Sequence, residues 1–145
     1  MLNKIDWKAL FFGFFAKLAV ENALNAVLFF IFGTYMRLIL GASPWWLYER
    51  FHRSPIGILC GITVALVAYW LLGFVIGHFA RRAPFLNVGV YLVIEALLSL
   101  IALGLDIPKY ARVNFWESLV EVLCIAVAFF GVLSVNHIVK RHATN

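Results

Sequence analysis

Phe85-Leu86-Asn87-Val88-Gly89-Val90-Tyr91-Leu92-Val93-Ile94-Glu95-Ala96-Leu97-Leu98-Ser99-Leu100-Ile101-Ala102-Leu103-Gly104-Leu105 decides the fold. A helix needs about 20 mostly apolar residues to cross a hydrocarbon core of ~30 Å. This stretch has that length and one acidic residue, Glu95, near its middle. A charge at that depth is expensive, so Glu95 must face protein, water or a partner.

The rest of the chain repeats the pattern. Of its 145 residues, 64% are hydrophobic and 13% charged. A soluble domain is typically ~45–50% apolar and ~25% charged. Too few charges remain here to coat a water-facing surface, and the mean hydropathy is +0.95. The composition describes an integral membrane protein. Four stretches are long enough to span: about 10–33 (continuing toward Leu40), 56–77, 85–105 and 115–139. All should be α-helices, because lipid offers no partner to an unpaired backbone group. A transmembrane barrel would show short alternating segments instead. The first apolar run is too long for a signal peptide and lacks a small-residue cleavage pattern, so it counts as a span. The expected fold is all-α: one domain over residues 1–145, a compact bundle of four transmembrane helices.

Four spans put both termini on one side. That side carries Lys4, Lys8, Arg81, Arg82, Lys140 and Arg141, against Arg37, Arg50, Arg53, Lys109 and Arg112 on the other. The totals nearly tie, but the first side has its pairs hard against the span ends, where the positive-inside rule counts them. Both termini are therefore expected in the cytoplasm. The net charge of +5 belongs to headgroup contacts, not nucleic acid, because no basic stripe on a soluble module exists. Cys60 and Cys124 form no CxxC pair and are expected to be inert thiols.

The loops carry punctuation. Ser43-Pro44-Trp45-Trp46-Leu47-Tyr48 fits a short interfacial helix, with Ser as cap, Pro at the first position and aromatics at the headgroups. His78-Phe79-Ala80-Arg81-Arg82-Ala83-Pro84 is a short loop that makes spans two and three an antiparallel hairpin, with Pro84 suited to the start of the third helix. Asn114 and Glu117 can form a capping pair for the fourth.

Two sets of residues stand out inside the spans. The second span holds Gly57-x-x-x-Gly61 and Gly73-x-x-x-Gly77. Small residues four apart let helices approach closely, and these two pairs fall on nearly opposite faces. The second helix is therefore expected to be central, with a different neighbour on each side, or with one face serving an oligomer. The other set is polar. Asn87, Tyr91, Glu95 and Ser99 follow one another at intervals of four, forming one stripe. Lys17, Glu21 and Asn25 do the same on the first span. If the stripes face each other, one lysine meets two carboxylates, and the cluster is neutral only when it holds a proton or cation. The alternative is polar glue between helices. The first span also has two readings: full immersion, or an interfacial helix over residues 2–17 with the crossing starting later. Phe11, Phe12, Phe14 and Phe15 go almost all round the helix, which favours immersion.

His78 and His137 end spans on the same side without compact metal-ligand spacing. No phosphate loop, nucleophile elbow or HExxH occurs. The sequence assigns no catalytic residue, cofactor or metal.

Leu72-Gly73-Phe74-Val75-Ile76-Gly77-His78-Phe79-Ala80-Arg81-Arg82-Ala83-Pro84-Phe85-Leu86-Asn87 resembles the second hairpin of uncharacterised small four-span bacterial inner-membrane proteins. There too a glycine-rich span end runs into an Ala- and Arg-containing turn and an Asn. Asp6-Trp7-Lys8-Ala9-Leu10, with Gly13, resembles their first span. The resemblance implies four spans and a bacterial inner membrane, and it transfers no activity. The size and layout are also similar to those of GtrA-like polyprenyl-linked sugar flippases, although Phe/Trp-rich span ends are absent after His137. The leading functional reading is a non-enzymatic subunit or scaffold that associates with itself or a larger membrane complex. The alternative is a small oligomeric transporter or channel, ion-coupled or flippase-like, using Glu95, Glu21 and Lys17. An enzyme acting on lipid is the weakest reading.

Overall fold

Asp6 starts the first helix. Its backbone is extended, and its side chain accepts a hydrogen bond from the Ala9 N–H at 3.1 Å, satisfying one of the orphan donors of a helix start. From there α1 (Trp7–Leu40) runs 34 residues without a break. It ends on Gly41, whose φ of 60° places it in the left-handed region that glycine enters without strain. Helix α2 (Pro55–Phe79) starts in the same way, with the Ser54 hydroxyl accepting from the Gly57 N–H at 3.1 Å and Pro55 in the first turn. Helices α3 (Pro84–Leu103) and α4 (Phe115–Ala143) complete the chain. The computed structural model describes residues 4–41, 51, 53–80, 82–103 and 115–143. The interfacial helix expected at Ser43–Tyr48 lies outside those described, as does Asn114 of the expected Asn114–Glu117 cap.

Each of the four helices is long and apolar enough to cross a membrane. At 1.5 Å per residue α1 measures ~51 Å, well beyond a ~30 Å core. It therefore extends past the span expected to end near Gly33. Through Lys17, α1 continues as one unbroken helix.

Helix α2 is the spine. It packs along α4 on one side and α1 on the other, while α3 makes smaller contacts with all three. Glycine explains the closeness of the α2–α4 seam. A Cβ on Gly73 would lie 1.8 Å from the Ala128 carbonyl oxygen, and one on Gly131 would lie 2.3 Å from the Trp70 carbonyl oxygen. Gly77 is close to Val132 in the same seam. Across the α1–α2 seam, a Cβ on Gly13 would meet the Ile76 side chain at 2.6 Å. Gly57 is buried, but Gly61 is exposed with nothing within 4 Å of where its Cβ would stand. The Gly57-x-x-x-Gly61 face thus receives no helix at Gly61 among the described residues. Gly13 on α1 supplies the small residue for that neighbour instead.

The tightest packing gathers in the part of the bundle nearer the termini. Leu72 and Ile76 of α2, Val88 of α3 and Val132 of α4 are fully buried there. Beyond Glu95, by contrast, α3 is exposed at every position from Ala96 to Ile101.

Candidate functional site: an ionic cluster between three helices

Three helices bring polar groups to one depth. Lys17 lies ten residues after the start of α1, Glu95 eleven after the start of α3, and Tyr69 ten before the end of α2. Each is ~15 Å along its helix from the same end of the bundle. The register follows from the close α1–α2 contact at Gly13 and from a second contact made by Asn87.

The Lys17 ammonium pairs directly with Glu95 Oε1. The other oxygen, Oε2, accepts a hydrogen bond from the Tyr69 hydroxyl at 2.9 Å. The same tyrosine ring lies under Lys17, with the ammonium 4.3 Å from its centroid. That is cation–π distance, and a ring is one of the few supports a cation finds in an apolar interior. Glu95 is thus held through both oxygens. Glu21, one turn along α1, reaches Lys17 at only 3.6 Å. Among the described residues no further hydrogen bond or ion pair holds Glu21, so its carboxylate is the more loosely held of the two. Only 11% of the Lys17 side chain is exposed, against 29% for Glu21 and 27% for Glu95. The lysine is enclosed, and the acids sit at the rim.

Glu95, but not Glu21, lines a cleft of about 310 Å³ between α1 and α3, with Phe14, Tyr91 and Leu98 among its walls. Tyr91 is buried, and Ser99 lines the outer part. Asn25 is exposed on α1 beyond the cluster.

Asn87 departs from the expected stripe. It is fully buried two turns from Glu95, but its partners lie elsewhere. Its Oδ1 accepts from the Asp6 N–H at 2.7 Å, and its Nδ2 donates to the carbonyls of Ala83 at 2.8 Å and Lys4 at 3.3 Å. It therefore ties the segment before α1 to the start of α3. Four-residue spacing placed Asn87 and Glu95 on one face; what each meets on that face differs with depth. Tyr69 was missed because a lone tyrosine beside Trp70 in an apolar span looks like ordinary aromatic packing. The available signal was its hydroxyl, which needs a partner wherever the ring is buried.

Among the described residues, no three His, Cys, Asp or Glu side chains gather to hold a metal. Cys124 is buried and Cys60 half-buried, both free thiols.

Over 61 residues the chain is 34% identical to a UPF0060 membrane protein of Zymomonas mobilis. The matched stretch is 42% of this chain and 57% of that protein. No protein-family model and no solved structure matches. The chain is a small multi-pass integral membrane protein. It is similar to small bacterial membrane proteins, its fold is a bundle of four helices without strands among the described residues, and its helices contact the lipid bilayer.

Proposed function

We propose that the protein is a small transporter in which the Lys17–Glu21–Glu95 cluster binds and releases a proton or a cation. The observation that carries this reading is one lysine shared by two carboxylates at mid-membrane depth. Charge alone gives the reason. An uncompensated charge at the centre of a span costs ~2.5–3.5 kcal/mol on insertion scales. With Glu95 engaged through both oxygens, Glu21 carries the excess charge, and a proton or cation reaching its partly exposed carboxylate relieves it. Glu21 is thus the exchanging group, and Glu95 with Tyr69 holds Lys17 in place. The subunit reading, which led on sequence grounds, falls behind because the polar groups converge from three helices and leave a charge over.

The test is flux in reconstituted vesicles carrying a trapped pH dye, with an imposed potassium diffusion potential. Wild-type protein should admit protons, and Glu21→Gln should abolish that flux while inserting and melting as the parent does. Undiminished flux in Glu21→Gln would sink the reading.

One observation favours association as a second reading. The cleft leaves the rim of Glu95 and Ser99 open at the side of α3. Exposed leucines need only lipid, but a carboxylate rim favours protein or water. A second copy of this chain packed along α3 would close it, making the unit a homo-oligomer. A cysteine at position 98 that forms no crosslink between copies in native membranes would remove this reading. We place the chain in a bacterial inner membrane as one domain with both termini cytoplasmic, supported by the span count and the charge pairs next to the span ends. Reporter fusions at either end check the orientation.

A further inference from the structure

A second cleft, of about 560 Å³, opens at the end of the bundle that holds the start of α1. It lies between the segment before α1 and the turn from α2 to α3. Three cations line it: Lys4, Lys8 and Arg82, all exposed. One carboxylate, Asp6, is also present, but it is engaged in capping α1 through the Ala9 N–H. The floor is the buried amide of Asn87, and the walls include Trp7 and Phe79. Phe79 stacks on Phe12 of α1, with ring centroids 5.1 Å apart, and both rings are exposed on the flank of the bundle. The cationic cleft thus shares Phe79 with an exposed aromatic pair.

We propose that this cleft binds an anionic phospholipid, with its phosphate among Lys4, Lys8 and Arg82 and an acyl chain along Phe12 and Phe79. The depth fits: the cleft sits one turn or less from the start of α1, where headgroups lie, and Trp7 has the amphipathic ring found at that level. The charge fits, because basic pockets between spans attract anionic headgroups, each nearby Lys or Arg strengthening binding by roughly fivefold. The volume is within the ~300–1,000 Å³ of small-ligand sites. A free anion would use the cations but gain nothing from the aromatic wall. A bound lipid also rests on the Asn87 tie to Asp6 and Lys4, and so fixes the start of α1 against α3. The inference stands apart from the transport reading, since it involves no residue of the ionic cluster.

The experiment measures thermal unfolding of the detergent-purified protein. It is titrated with phosphatidylglycerol, with phosphatidylcholine of the same chains, or with inorganic phosphate. Phosphatidylglycerol should raise the midpoint, and the other two should not. Lys8→Gln and Arg82→Gln should each weaken the apparent phosphatidylglycerol affinity roughly fivefold, and the triple variant with Lys4→Gln about a hundredfold. Equal shifts with both lipids, or selectivity kept by the triple variant, would overturn the proposal. A shift reproduced by inorganic phosphate would assign the cleft to a free anion instead. If the triple variant does not fold, the single variants and the wild-type salt dependence decide. Raised salt should erase the difference between the two lipids, and a salt-independent preference counts against the site.

Discussion

The α2–α4 seam and the α1–α3 seam solve the same problem in opposite ways. Lipid tails are as apolar as leucine, so helices in a membrane gain little from burying apolar surface against each other. Between α2 and α4 the answer is proximity: Gly73, Gly77 and Gly131 bring backbone onto backbone, and dispersion does the rest. Between α1 and α3 the answer is polarity: Asp6 with Asn87 near the surface and Lys17 with Glu95 at mid-depth. The first seam leaves no room for a Cβ at Gly73 or Gly131 and little at Gly77. The second is sparse, opens into a cleft and keeps an acid, Glu21, only loosely engaged. Close packing and polar contact are thus divided between the two sides of α2.

The largest test of that contrast is Gly73→Leu. The added atoms meet the Ala128 backbone, so no side-chain change at position 128 can relieve them. Unfolding in detergent should show a loss of about 3 kcal/mol or more, the upper end of overpacking costs, and Gly73→Leu/Ala128→Gly should be no better. Rescue by Ala128→Gly would mean the seam is looser than backbone contact.

Lys17→Met should come next. It leaves two carboxylates without their cation, a loss of about 2–3 kcal/mol, given that breaking a buried pair costs ~3–5 in full and these acids are partly exposed. Lys17→Met/Glu95→Gln should recover much of it, because the strongest uncompensated charge is gone. Chemical unfolding of both variants checks the recovery, and equal loss in both would demote the pair to ordinary glue.

Gly13→Ala tests the α1–α2 side. Its obstruction is the flexible Ile76 side chain rather than backbone, so a loss of about 1–2 kcal/mol should be offset in part by Ile76→Ala. Non-additivity in that double-mutant cycle is the readout. Smaller still is Tyr69→Phe, which deletes the bond to Glu95 but keeps the ring beneath Lys17. It should cost ~0.6 kcal/mol, typical of polar bonds between membrane helices. Gly61→Ala, with open space around it, should be neutral or slightly stabilising through helix propensity. A large loss there would reveal a neighbour, such as a second copy, on that face.

The number of spans, their helical nature and the short Pro84 hairpin are legible in the sequence because bilayer thickness and backbone hydrogen bonding act on each segment separately. The central place of α2 is legible for a related reason: Gly73 and Gly77 mark a close approach wherever it occurs. The mid-span acids are visible too, since a charge in an apolar run is costly whatever surrounds it. What each polar group meets is a different kind of fact. Lys17 reaches Glu95 across 78 positions of sequence, and Tyr69 joins them from a third helix. Asn87 leaves their company for the segment before α1. Those pairings depend on the rotation and sliding of one helix against another, set by contacts such as Gly13 on Ile76 and Gly73 on Ala128. Periodicity along a single helix carries no information about either. The sequence alone therefore determined that Glu95 and Glu21 needed an answer in the membrane. The tertiary structure decided that Glu95 is answered twice, by Lys17 and Tyr69, while Glu21 holds the lysine only at its edge.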